Sequence, residues 1–158
     1  MKLYKKMNTP KRIKNFLETK EPEMILMLEE LVNQESGTGY KEGVDLVGEK
    51  LSILFKSLGY QLEVIEEKEY GNHLIIRSKP SGKCEVLLLG HMDTVFPKGT
   101  VKENPFTIKG NHAYGPGVND MRAGLVSIYW ALRAIKELGL DEEIPSITIM
   151  NRPGIDGE

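Results

Sequence analysis

Apolar positions along the chain repeat with two periods. Over 22–33, Met24, Met27, Leu28, Leu31 and Val32 recur three and four residues apart, which predicts a helix with one buried face. Pro22 suits its first turn, and Ser36-Gly37-Thr38-Gly39 breaks the pattern. A second helix is predicted near 41–58, with Val44, Val47, Leu51, Leu54, Phe55 and Leu58 on one stripe and Gly59 as its stop. A third spans about 121–138, where Leu125, Ile128, Tyr129, Leu132, Ile135 and Leu138 form the apolar face and Gly139 ends it. Strands are predicted at Leu62–Ile65, His73–Arg77, Glu85–Leu89 and Ser146–Met150. The continuous apolar run at 85–89 reads as a strand buried on both faces. Pro80-Ser81-Gly82-Lys83 is a turn before it. Phe106–Ile108 and His112–Tyr114 flank Lys109-Gly110-Asn111 and predict a hairpin. Strands alternating with long helices imply an α/β sheet with parallel members.

Composition narrows the function classes. At 158 residues one domain is expected, and 40% hydrophobic with 28% charged residues argues against disorder. A formal charge of −2 offers no global basic field to nucleic acid. The single cysteine, Cys84, rules out an internal disulfide framework and a four-cysteine zinc cluster. It precedes a strand expected to be buried, and nothing adjacent in sequence would depress its pKa. No apolar run approaches a membrane span, and Met1–Lys6 lacks the apolar stretch of a signal peptide. A cytoplasmic location is the default expectation. Charge is uneven: Lys2, Lys5, Lys6, Lys11, Arg12, Lys14 and Lys20 stand against Glu18 alone. Residues 1–21 are therefore expected as a basic leader, either a solvated helix with a frayed terminus or a contact for anionic surfaces. Residues 22–158 form the expected folded domain.

Two elements carry candidate chemistry. The strand at 85–89 runs out into Gly90-His91-Met92-Asp93-Thr94-Val95-Phe96-Pro97. Ligands of open α/β sheets gather at the carboxyl ends of strands. A metal-bound histidine gives its other ring nitrogen to a carboxylate or carbonyl, and Asp93 is placed to serve His91 in that way. The alternative is a hydrogen-bonded histidine closing a strand. The second element is Gly115-Pro116-Gly117-Val118-Asn119-Asp120-Met121-Arg122-Ala123-Gly124. It opens the third helix, so Asp120 is either a functional carboxylate or that helix's N-cap. A dinucleotide fingerprint does not fit, because Asp120 occupies the third glycine position.

Together, "GHMDTVFPKGT" and "AYGPGVNDMRAGL" resemble the co-catalytic zinc hydrolases: glutamate carboxypeptidase, aminoacylase, acetylornithine deacetylase and succinyl-diaminopimelate desuccinylase. The resemblance extends over roughly 22–150, with softer echoes in "LVNQESGTGYKEGVD" and "YGNHLIIR". It implies part of a three-layer α/β sandwich, truncated, with a mixed and mainly parallel sheet flanked by helices. It also implies a metal-dependent amide hydrolase with two zinc ions per complete site, cobalt or manganese being alternatives. His91 would bind one zinc, Asp93 would be the catalytic residue that orients His91, and Asp120 would bridge both ions. Paired metals acidify a shared water and polarise the scissile carbonyl. Substrates would be small peptides or N-acyl amino acids; neither nucleic acid nor membrane is implied.

The pattern departs from the family after the last strand. Family members carry Asp-Glu-Glu-x-Gly there, the first Glu of the pair as general base and the second as a metal ligand. Here Asn151-Arg152-Pro153-Gly154-Ile155-Asp156-Gly157-Glu158 follows, and an ungapped alignment sets the pair on Gly154 and Ile155. Asp156 and Glu158 are acidic but are not adjacent. The family's lid or dimerisation domain, later acidic ligand and final histidine have no counterpart in this sequence. The competing expectation is a non-catalytic remnant, and a third is a binding module acting through the basic leader. A sheet ending on the apolar strand at 146–150 would offer an unpaired edge to a second copy or a companion chain. Trp130 and Tyr129 are expected in the core, and His73 and His112 as structural residues. Arg122 stands where the family commonly has Lys, either near the metals or on the surface.

Overall fold

The structure is a computed structural model that describes residues 8–79 and 84–152. Helix α1 (Thr9–Thr19) and helix α2 (Glu21–Val32) each start on a proline in the first turn. Helix α3 (Lys41–Ser57) follows the Ser36–Gly39 break. Then come strands β1 (Gln61–Ile65), β2 (His73–Arg77) and β3 (Val86–His91), and a short helix α4 (Thr100–Glu103). The hairpin is β4 (Thr107–Lys109) with β5 (His112–Tyr114). A tight turn over Val118–Arg122 leads into helix α5 (Ala123–Glu137), and β6 (Ile147–Arg152) closes the order. The turn expected at Pro80–Lys83 lies outside the described residues.

The main sheet has the order β1-β2-β6-β3. It is mixed, as expected, but two of its three pairings are antiparallel, so "mainly parallel" is corrected for the described residues. The cause is connection length. The short link between β1 and β2 permits only an antiparallel neighbour, whereas β3 reaches β6 through a crossover containing α5 and pairs in parallel. Ser78 and Glu85 fix where β6 begins. Ile147 N donates to Ser78 Oγ at 2.9 Å, and Ser146 N donates to Glu85 Oε2 at 2.8 Å. Bonds from the Ser146 amide and hydroxyl hold the Glu85 carboxyl below its ordinary value.

One face of the sheet carries Leu74, Ile76, Ile147 and Ile149, all in the core with Val44, Val47, Leu51 and Phe55 of α3. Leu125, Tyr129 and Trp130 of α5 complete that cluster, as expected for the two aromatics. Phe55 and Tyr129 meet edge to face, ring centres 5.6 Å apart, the arrangement that aromatic quadrupoles favour. Helix α1 lies inside the predicted basic leader. It packs on α5: Phe16 and Leu17 touch the core, and Arg12 Nη2 donates to Leu138 O at 3.1 Å.

Two expectations for the sheet are corrected. The β3 run is not buried on both faces: Leu87 and Leu89 are 51% and 66% exposed, with Ile65 also exposed on their side of the sheet. Alternation along an edge strand turns every second residue away from the helices, and continuous apolarity does not reveal this. Cys84, before it, is exposed too. Strand β6 is not an edge: it lies between β2 and β3, and the edge strands among the described residues are β1 and β3. The described residues thus supply the sheet and the helical layer on its core face. No helix among them is long and apolar enough to cross a membrane.

Phe55→Ala should cost about 3–5 kcal/mol in urea unfolding, the range for emptying an aromatic site in a packed core. Leu89→Ser should change stability by no more than about 0.5 kcal/mol if that side chain stands in solvent. A loss at Leu89 as large as that at Phe55 would contradict the edge placement of β3.

Candidate functional site

The sheet delivers His91 to the carboxyl end of β3, and the chain then turns through a loop that is tied down from the opposite side. Thr94 N donates to Ser36 O at 2.9 Å, and Thr38 N donates to Thr94 O at 3.0 Å. The Ser36–Gly39 break thus pairs with the residues after β3. Gly37 is required by space there, since a Cβ would sit 2.5 Å from Phe96 O. Beneath this bridge Asp93 is buried, only 3% exposed, and its Oδ2 accepts from Thr38 Oγ1 at 2.7 Å.

The imidazole of His91 lies between two carboxyl groups. Nδ1 is 3.1 Å from the Asp93 carbonyl oxygen and 3.3 Å from Asp93 Oδ1. Nε2 is 2.9 Å from Asp120 Oδ1. The structure therefore brings His91, Asp93 and Asp120 together. Both ring nitrogens face oxygen acceptors, yet a neutral imidazole carries one N–H. The contacts are all favourable only when Nδ1–H points at Asp93 and positive charge lies between Nε2 and Asp120. A second ring proton supplies that charge, and so does a metal ion in its place.

Asp120 does not cap a helix. Its backbone is extended (φ −134°, ψ 95°) inside the turn before α5, and no side-chain cap bond forms there. Helix α5 begins three residues later, at Ala123. The Asp120–Met121 peptide is cis. Met121 Sδ accepts from His91 N at 3.2 Å, a second tie between this turn and the end of β3. Gly117 has φ +70°, and a Cβ there would lie 2.5 Å from Thr94 Cγ2. Both space and backbone conformation therefore demand glycine.

Arg122 was open to a surface role; it is 1% exposed. Its Nη2 donates to Ser36 Oγ, while Nε and Nη1 have no hydrogen-bond partner among the described residues. Burial pushes this guanidinium down to about 10, and the negative charge of Asp93 opposes the shift. Ser36, Thr38 and Met121 were not picked out from sequence as site residues. The small-residue run at 36–39 reads only as a helix break, and its pairing with 93–94 is tertiary.

His91, Asp120 and their loops line a cleft of about 580 Å³, walled by Val95, Phe96, Ala113 and Tyr114. The donor chemistry fits a divalent ion as far as it goes: one imidazole nitrogen and one carboxylate oxygen converge, with the ring oriented from behind. No third His, Cys, Asp or Glu joins them in a metal-holding group among the described residues. His73 begins β2 and His112 lies in the hairpin, with its ring against Tyr114. Strand β6 ends beside the site, Arg152 pairing with His91. Gly154, Ile155, Asp156 and Glu158 lie outside the described residues.

Residues 87–153 match the model of peptidase family M20/M25/M40. The chain is 36% identical over 132 residues to carboxypeptidase G2 of Pseudomonas sp. (strain RS-16), covering 82% of this chain and 32% of that protein. It belongs to this peptidase and deacylase superfamily. Acetylornithine deacetylase of Vibrio parahaemolyticus is 39% identical over 99 residues, 61% of this chain and 26% of its own length. Human carnosine dipeptidase 1 shares the fold, with a TM-score of 0.76 at 15% identity, over 90% of this chain and 34% of that one. The chain thus spans between a quarter and a third of the curated relatives it matches. The mixed α/β sheet flanked by helices is the M20 architecture.

Gly117→Ala should cost about 1–3 kcal/mol, from a left-handed backbone and a clash with Thr94. Because the clash lies in the turn that presents Asp120, chemical-shift changes should centre on 91–94 and 117–122. Shifts confined to residue 117 and its neighbours would contradict the close packing of the two loops.

Proposed function

We propose that this chain carries part of the centre of a metal-dependent amide hydrolase of carboxypeptidase or deacylase type. The observation that supports this most is the approach of His91 Nε2 to Asp120 Oδ1, 2.9 Å, with Nδ1 turned to Asp93. His91 and Asp120 are the proposed metal ligands, and Asp93 holds the ring. A bound zinc ion, or cobalt or manganese, would supply Lewis acidity to a carbonyl oxygen and acidity to a water. A complete centre would hold two such ions, and Asp120 is the residue that would serve both. Asp93 fixes which ring nitrogen is offered to the cleft. The apolar walls at Val95, Phe96, Ala113 and Tyr114 exclude water and seat an uncharged part of a small peptide or an N-acyl amino acid. The working compartment in this reading is the cytoplasm.

A second reading has a specific basis. The described residues offer two converging donors, whereas a catalytic zinc takes about three protein ligands plus water. Without a glutamate base the rate would fall by about 10²–10⁴. In that reading the chain is a non-catalytic relative, or its donor set is completed by a second copy or a companion chain along the open β3 edge.

Calorimetric titration with zinc separates these readings. The metal reading expects binding that His91→Ala and Asp120→Ala abolish and that Asp93→Asn weakens about 10–100-fold. Equal heats for the unaltered chain and Asp120→Ala would overturn it. Hydrolysis of N-acyl glutamate at the same rate by the unaltered chain and by His91→Ala would assign the chain to the non-catalytic reading.

A further inference from the structure

Arg122 is the largest fully buried side chain described, and it is a cation. Burying an ion without compensation costs several kcal/mol, so its neighbours show what it is there to do. Its Nη2 donates to Ser36 Oγ. The Ser36 carbonyl accepts from Thr94 N, and Thr38 in the same segment bonds both to the Thr94 carbonyl and to Asp93 Oδ2. Asp93 is the anion whose charge acts on Arg122. Two paths therefore lead from the guanidinium to the Asp93 carboxylate. One runs through Ser36 and the bridge between 36–38 and 93–94. The other is direct charge compensation between two buried groups.

We propose that Arg122 is a positioning residue: it clamps the 36–38 segment against 93–94 and holds the Asp93 carboxylate on His91 Nδ1, so that Nε2 alone is presented to the cleft. The inference builds on the reading of His91 as the working ring, but it needs no ion to be bound. The unpartnered Nε and Nη1 fit this role. A side chain kept only for packing would be replaced at lower cost by an apolar one. The guanidinium has a planar fork that reaches one hydroxyl while its charge still acts with that of the carboxylate.

The test is ¹⁵N NMR of the histidine rings in metal-free protein at one fixed pH, alkaline enough that the rings carry a single N–H, with His91 assigned by loss of its signals in His91→Gln. The unaltered chain should give two well-separated His91 ring nitrogens, the signature of one locked tautomer. In Arg122→Met the separation should fall at least about two-fold as the tautomers exchange, and Arg122→Lys should restore most of it. In an Asp93→Asn background, Arg122→Met should add no further change, because the group it positions is gone. His91 signals unchanged in a folded Arg122→Met protein would overturn the proposal. So would an effect of the same size in the Asp93→Asn background. If Arg122→Met does not fold, Ser36→Ala removes the contact and leaves the charge: averaged His91 signals support the clamp, and unchanged ones overturn it. Failure to bind zinc would sink the proposed function and leave this measurement intact.

Discussion

The contact on which the site depends is the one behind the imidazole. A histidine at the end of a strand can rotate and exchange tautomers, and a ligand that does both binds nothing well. Here Asp93 offers its carbonyl and its carboxylate to the same ring nitrogen, at 3.1 and 3.3 Å. That leaves one orientation in which Nε2 faces Asp120. The carboxylate can do this because it is itself fixed, by the Thr38 hydroxyl and by burial. A buried anion in turn has to be compensated, and Arg122 is the cation within its field. The order of dependence is from packing to charge, from charge to carboxylate, and from carboxylate to ring.

The same order explains why loops with so little regular structure can present chemistry accurately. The turn at 115–122 and the segment at 92–97 have few main-chain ladder bonds of their own. They are located by contacts to one another and to 36–38: a glycine with no room for a Cβ at Gly37, another at Gly117, and the Met121 thioether on the His91 amide. The sheet contributes the starting point, since β3 leads directly into His91, and the core beneath it fixes where β3 lies. Precision in such a site comes from crowding, and a methyl group in the wrong place would be felt at the ring.

Much of the fold was legible because periodicity is a local property. The helices at 21–32, 41–57 and 123–137, the strands at 73–77 and 147–152 and the small hairpin all follow from spacing and turn residues. What covers each face was not legible. Leu87 and Leu89 sit in an unbroken apolar run, yet they point away from the core of the described residues. Strand order was hidden for the same reason: nothing within 146–150 states that it lies between β2 and β3. At the site, His91 and Asp120 stood out by their motifs, whereas Arg122 had no local signal for burial. An arginine beside a candidate ligand reads as surface charge until the Ser36 hydroxyl is seen to meet it and the charge of buried Asp93 to act on it.

The remaining chemistry turns on where two carboxylates come from. An amide is cleaved at a metal centre only if the water loses a proton to a base and the leaving nitrogen gains one. In the proposed centre His91 and Asp120 hold the ion and Asp93 is occupied with the ring, which leaves none of the three to shuttle that proton. Strand β6 runs parallel to β3 and pairs Arg152 with His91, and in the family's pattern the Glu pair comes shortly after that strand in sequence. In this sequence the ungapped positions are Gly154 and Ile155, one without a side chain and one with a hydrocarbon. Neither can accept a proton or coordinate a cation. In the proposed reading, the groups that orient the imidazole lie within the described residues. On the same reading, proton transfer would need a carboxylate that Gly154 and Ile155 do not supply.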